Sequence, residues 1–333
     1  MKACIQTMIA VTFLLGSGTT FAWSAEGHET VGSIADSLLA GTHAAKTIQS
    51  ILGTEKLKTA SVWADCVKGV TEEPPLKYVV NSENAECKPF QTASGQAEMI
   101  DFVARNLRAC KPVPGEESCH RQYHHADVAI ERNAYSRSEI GTSDHDVVSA
   151  INAAISVLQG SVSPSPISFA TNREALRLLV HYVGDIHQPL HVAAIYLDTR
   201  GHEVDPDAGT YDPATKTHGG NKILIQGQDF HVAEWDTIPA SLTAAKFKGS
   251  VGEAKRVPAT DGPINQWAAA WATDTILASH TAFSGLTFGA ESTSGTWPVT
   301  EPDGYSETKE SLQKTQLVKA GARLAQLLQA IFP

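Results

Sequence analysis

Between Glu174 and His191 the chain gathers His181, Asp185, His187 and His191, four side chains of the kinds that bind metal ions. Leu176, Leu179, Val180 and Val183 recur at helical spacing. His181 and Asp185, four residues apart, therefore share one helix face about one turn (~5.4 Å) apart and can grip one ion. Pro189 has no N–H for the carbonyl of Asp185, so it kinks or ends the helix and turns His191 in a new direction. One helix can then feed two metals. A lone histidine on such a face is more often a satisfied core or surface residue; four ligand-type residues around a proline reverse that reading.

Further donors lie along the whole chain. Asp65, in Ala60-Ser-Val-Trp63-Ala-Asp65-Cys66-Val-Lys68, sits beside bulky apolar residues where an unpaired carboxylate is costly to bury, so a cation or metal partner is expected. The run Tyr123-His124-His125-Ala126-Asp127 has no helical period and, taken alone, reads as an exposed polar loop. Gly219-Gly-Asn221-Lys-Ile-Leu-Ile reads as a turn and short strand, followed by a second histidine and aspartate set, His231 and Asp236. The polar loop from Asp198 to Asn221 lacks the ligand spacing of a calcium-binding loop, and calcium is discounted. Imidazole with carboxylate favours zinc over magnesium or calcium. The donors exceed what one tetrahedral site uses, and positions left open to water indicate catalysis more than structure.

The elements that must position these groups are mostly helical. Apolar spacing predicts helices beginning almost at Trp23 and reaching about Leu52, at 97–107, from Asp144 to Leu158, from Thr171 or Asn172 through the central segment, around 264–278 and from Thr308 to Ile331. The fold class expected is mainly α, a single-domain helical bundle with a short β-hairpin. Lys2, the apolar run from Ile5 to Leu15, and Thr20 and Ala22 read as a secretory signal cleaved between Ala22 and Trp23. Residues 1–22 are thus a signal peptide and 23–333 the functional domain, secreted or periplasmic. No later apolar run approaches the ~20 residues of a membrane span, so no membrane anchor is expected. Cleavage removes one basic residue and no acid, leaving 25 basic and 36 acidic groups and a net charge of 25 − 36 = −11, which argues against a broad nucleic-acid-binding patch. It does not exclude a phosphodiester, because bound cations are often the largest charges in a site. Cys66, Cys87, Cys110 and Cys119 form an even set in an oxidising compartment; two disulfides are expected, with three connectivities open. The segment 71–120 reads as a disulfide-tied, mostly surface stretch.

These residues resemble the zinc-dependent single-strand nucleases of fungi and the related plant bifunctional nucleases, the nuclease S-one/P-one type, over essentially all of 23–333. The resemblance rests on Trp23 with His28 five positions later, Trp63-Ala-Asp65, His181-Tyr-Val-Gly-Asp185-Ile-His-Gln-Pro-Leu-His191, Gly219-Gly-Asn221, Trp235-Asp236 and Ala320-Gly-Ala-Arg-Leu-Ala-Gln-Leu-Leu328. It implies three zinc ions per chain at the bottom of a cleft. Asp65, His124, His181 and Asp185 would hold one, His191, His231 and Asp236 a second, and Trp23 (amine and carbonyl), His28 and Asp185 a third. Against the carboxylates of Asp65, Asp185 and Asp236, three divalent ions leave a local charge of about +3. The implied activity is endonucleolytic hydrolysis of single-stranded RNA and DNA to 5′-phosphorylated products, with 3′-nucleotidase activity beside it, by a monomer. Asp65 would accept a hydrogen bond from the attacking water, Lys68 would supply positive charge, and His125 and Asp127 would stack on and hydrogen-bond the base.

Three departures from the family pattern stand out. Lys68 replaces an arginine, losing bidentate contact but keeping the charge. His231 precedes Asp236 by five residues rather than four, so the helix start is expected to bulge there. Thr237 follows Asp236 where an asparagine that contacts the base is common. A zinc-dependent phospholipase C acting on phospholipid head groups, with a similar His and Asp segment, is the first rival reading; Asp236, Gly-Gly-Asn and the C-terminal helix favour the nuclease. A non-catalytic secreted zinc-binding protein is the second.

Overall fold

The computed structural model describes residues 23–113 and 116–333; the expected leader, residues 1–22, and its cleavage position lie outside the described residues. In chain order the helices are α1 (Ala25–Leu39), α2 (His43–Leu52), α3 (Leu57–Ala60), α4 (Trp63–Val67), α5 (Ala93–Ala109), α6 (Cys119–Gln122), α7 (Val147–Leu158), α8 (Asn172–Asp185), α9 (Ser250–Ala254), α10 (Trp267–Phe283) and α11 (Tyr305–Ile331). The strands are β1 (Val128–Ala129), β2 (Ala193–Ala194), β3 (Ile223–Ile225), β4 (Gln228–Asp229), β5 (Thr287–Phe288) and β6 (Trp297–Thr300). The fold is mainly α, as the periodicity requires. The expected first helical stretch breaks at Gly41, whose φ of +82° suits a residue without Cβ.

Helix α8 is the axis of the bundle. Every residue from Glu174 to Asp185 is buried, and α7, α1, α3, α4 and α11 pack around it. A helix so enclosed belongs to the core rather than to the surface. It starts where Thr171 accepts from the Glu174 amide at 3.1 Å. It stops at Asp185, before Pro189, and a 3-10 turn over Pro189–His191 follows. Its one buried cation, Arg177, is paired at 2.7 Å with Glu55 and at 2.8 Å with Glu98. The carboxylate and imidazole of Asp185 and His181 are therefore carried inside the hydrophobic core.

The expected hairpin is β3–β4, turned by Gln226 (φ +49°) and Gly227 (φ +83°), a pair of left-handed residues that matches strand twist. It does not stand alone: β6 adds to β3 in parallel and β5 to β6 antiparallel, giving the order β4-β3-β6-β5. A second pairing, β1 with β2, joins Val128 to Ala193 and Ala129 to Ala194. Neither was legible in the sequence, because strands of two to four residues carry almost no periodicity. The disulfides are Cys66–Cys87 and Cys110–Cys119, which settles the open connectivity. Segment 71–120 is not all surface: Met99, Phe102 and Val103 of α5 are core residues.

Helices α1 and α11 meet face to face through Gly321, where a Cβ would lie 2.6 Å from both Cβ and Cγ2 of Ile34. Overfilling such a contact costs about 2 to 3 kcal/mol. Gly321→Val is expected to lower unfolding free energy by about that amount, read from the urea midpoint at unchanged slope.

Candidate metal centre

Two of the candidate groups meet on the last turn of α8. Asp185 is fully buried and divides its oxygens: Oδ1 lies 3.3 Å from His28 Nε2, while Oδ2 lies 3.0 Å from His124 Nδ1 and 3.2 Å from His181 Nε2. His28 comes from the first turns of α1 and stacks on His181 with ring centroids 3.8 Å apart. Gly184 permits this, since a Cβ there would meet His28 Nδ1 at 2.8 Å. Asp65, from α4, reaches the same place, 3.7 Å from His181 Nε2 and 4.0 Å from His28 Nε2. Trp23 is buried beside them, its indole N–H donating to the carbonyl of Gly184 at 3.0 Å. His124 does not lie in an exposed loop. The β1–β2 pairing and the Ala126 N–H to His191 carbonyl bond (2.8 Å) press it into the core.

The other group is made by His191, on the turn after Pro189, with His231 and Asp236. His231 Nε2 is 3.1 Å and His191 Nε2 3.8 Å from Asp236 Oδ1. The five-residue spacing is absorbed as expected: residues His231–Asp236 form one π-helical turn, closed by the Thr237 N–H on the Val232 carbonyl five residues back. A wider turn brings positions i and i+5 to one side, as four-residue spacing does on an α-helix. Ser24 N–H bonds the Asp236 carbonyl at 2.7 Å, tying the start of the described chain to this turn. Sequence reasoning missed Gln188, whose amide N donates to Asp236 Oδ1 (2.9 Å) and to His231 Nε2 (2.8 Å). Its place one residue before Pro189 was the available signal. His187 turns away, between the Val183 carbonyl and the Arg323 guanidinium.

The donor atoms fit metal ions. A carbonyl oxygen only accepts, so the Nδ1 atoms of His181, His191 and His231, at 2.6–2.8 Å from the carbonyls of Ser61, His124 and Gly219, carry protons and leave each Nε2 lone pair facing the cluster. Both nitrogens of His28, His191 Nε2, Asp185 Oδ1 and Asp236 Oδ2 are buried without a hydrogen-bond partner. Buried polar atoms are rarely left so, and a bound cation satisfies them together. Burial pushes His191 down to about 3 and holds His124 well below the usual imidazole range, so both are neutral and ready to bind metal. Burial raises Asp236 to about 6, although His231 and the Gln188 amide act against it. Cys110, Cys119 and His145 also lie together, but the two sulfurs are joined and offer no thiolate.

A cleft opens over these atoms, lined among others by Lys68, Arg121, His125, Asp127, Asn221 and Lys222. Lys68 Nζ holds Asp65 Oδ1 at 2.7 Å. His125 stands 3.8 Å from Asp127, and Lys216, missed in the sequence, holds Asp127 at 3.0 Å. Burial alone would raise the Asp127 carboxyl, but the Lys216 ammonium and the imidazoles of His125 and His218 hold it well below the usual carboxylate range.

Residues 23–333 match the family model described as S1/P1 Nuclease. The chain is also similar to "Endonuclease 2" of Arabidopsis thaliana, 25% identical over 345 residues that cover 98% of this chain and 97% of that protein.

The Asp127–Lys216 pair sets a pH-dependent expectation. Lys216→Met leaves a buried carboxylate without its cation, a loss of about 3 kcal/mol at neutral pH. A carboxyl with a depressed folded-state pKa contributes stability above its unfolded value, ~4, and loses it as pH falls. The deficit of the variant, measured by urea unfolding, is therefore expected to be largest at pH 7 and to shrink below pH ~4.

Proposed function

We propose, from the premise that this chain belongs to the S1/P1 nuclease family, that it hydrolyses single-stranded RNA and DNA to 5′-phosphorylated products and removes phosphate from 3′-nucleotides. Membership makes it a nuclease, a hydrolase acting on nucleic acid; strand form, products and metal are our reading. The observation that carries the reading is Asp185, buried with its two oxygens turned toward different imidazoles, His28 on one side and His124 with His181 on the other.

Three zinc ions would be held by Asp65, His124, His181 and Asp185, by His191, His231 and Asp236, and by Trp23, His28 and Asp185. Zinc in such a site polarises phosphoryl oxygen and lowers the pKa of bound water toward ~7. The side chains do the rest. Burial would raise Asp65, but Lys68, His181 and His28 hold it well below the carboxylate range, so it stays ionised and would accept a hydrogen bond from the attacking water. Lys68, fixed on Asp65, faces the phosphate as a point charge. His125 offers an imidazole face to a base, and Asp127 an acceptor for the base edge. Among the described residues no helix is long and apolar enough to cross a membrane. The two disulfides support an exported enzyme, which we read as a monomer cut between Ala22 and Trp23. The amine freed on Trp23 would be a ligand that an uncut peptide nitrogen is not.

Purified protein starting at Trp23 is expected to contain about three zinc ions by elemental analysis and to cut single-stranded RNA and DNA, but not phosphatidylcholine, until chelator is added. A single metal per chain, or cleavage indifferent to chelator, overturns the proposal. Asp185→Asn is expected to lose more activity than Asp127→Asn, since the first serves two ions and the second only a base.

With an α-amino pKa of ~7.7 to 8.0, the Trp23 amine must release a proton to bind zinc. Protein carrying one extra methionine before Trp23, verified by mass spectrometry, is expected to fold with one zinc fewer and far lower activity. Full activity there removes Trp23 from the ligand set.

A further inference from the structure

The cleft over the metal ligands does not end at Asp65. A second groove continues from it over the antiparallel pair that Val70 makes with Tyr78, where the Val79 N–H donates to the Gly69 carbonyl at 2.8 Å, and reaches Asn81 and Asn84. Lys68 and Arg121 line both spaces and so stand where they join, and Asp65 itself opens onto the groove. The ring of Tyr78 lies against Gly69, with 3.0 Å from its Cε2 to the position of a Gly69 Cβ. The Cys66–Cys87 disulfide anchors Cys66, which also lines this groove.

Arg121 is held in a particular way at this junction. Its Nε donates to Glu72 Oε1 at 2.7 Å, and the same oxygen accepts from Ser118 at 2.8 Å. One terminal nitrogen, Nη2, makes only a long 3.4 Å bond to the Lys68 carbonyl. The guanidinium plane is thus fixed by its inner edge while its outer edge is offered to the cleft. A planar fork fixed in advance suits a phosphate with two free oxygens and loses little freedom on binding. Lys68 and Arg121 are each balanced by a carboxylate, Asp65 and Glu72, so the junction would recognise a phosphate through the directed N–H donors of Arg121 rather than through net charge.

We propose that Arg121 grips the phosphate next to the scissile one, and that the groove over the Val70–Tyr78 pair, reaching to Asn81 and Asn84, receives the following nucleotide of a single strand. This rests on the nuclease reading and deepens it: the enzyme reads strand length, preferring a polynucleotide to a dinucleotide. Tyr78 and Val79 give the base a partly apolar wall, and Asn81 and Asn84 face its polar edges or sugar. Glu72 acts through Arg121 as a positioning residue.

The test compares wild type, Arg121→Met and Glu72→Gln on a dinucleoside monophosphate, which has no second phosphate, and on a single-stranded hexanucleotide. Unchanged zinc content and thermal midpoint confirm that the variants are folded and loaded. Loss of one charge-assisted pair is worth about tenfold or more. The hexanucleotide-to-dinucleotide ratio of kcat/KM is expected to fall about tenfold in Arg121→Met, through KM, and by less in Glu72→Gln. Fluorescence anisotropy with a labelled phosphorothioate hexanucleotide is expected to show the same weakening, with a salt slope reduced by about 0.7. An unchanged ratio, equal losses on both substrates, or hexanucleotide binding indifferent to Arg121 overturns the proposal. Wild type that cuts neither substrate overturns the nuclease reading instead, and the anisotropy arm still decides the role of Arg121.

Discussion

A fully buried carboxylate is the constraint on which this structure turns. Removing Asp185 from water costs several kcal/mol unless opposite charge or strong donors surround it. The chain answers by converging three imidazoles on its two oxygens, from α1, from the turn after α6 and from the preceding turn of α8. The convergence obliges α8 to lie at the axis of the bundle and Gly184 to carry no side chain. Burial and the neighbouring imidazoles act oppositely on Asp185; the imidazoles prevail and hold it ionised. Imidazoles and carboxylate together form a polar core that protein atoms alone leave incompletely bonded.

The backbone sets the direction of each ligand. Carbonyls of Ser61, His124 and Gly219 fix one nitrogen of three histidines, so the opposite nitrogen has one direction left. His124 is both a candidate ligand and, through its carbonyl, the anchor of His191, which couples the two groups mechanically. Pro189 and the π turn at His231–Asp236 are the two places where regular helix would have misdirected a side chain, and both depart from it.

Much of this was legible in residue types. The run from His181 to His191 announced both the helix and its interruption, because proline and helical spacing act locally. The inserted residue between His231 and Asp236 could be read as a bulge for the same reason. The burial of His124 could not: it comes from a two-residue parallel pairing with a partner 65 positions away, and nothing in Tyr123-His124-His125 encodes that. Lys216 and Arg121 were passed over since a lone cation in a polar loop looks like any solvated one. Gln188 was overlooked because an amide is not a ligand type, although its position beside Pro189 fixes it among the ligands. The disulfide pairing depended on where α4 and α6 pack, information that spacing does not hold.

The candidate ligands are spread along the chain from Trp23 to Asp236, and α11, which follows them, lies against α1. The groups on Asp185 need α1, α4 and α8 together, and the group at His191 is oriented by the carbonyl of His124. The groups therefore assemble only when segments from α1 to the turn at His231–Asp236 are folded together.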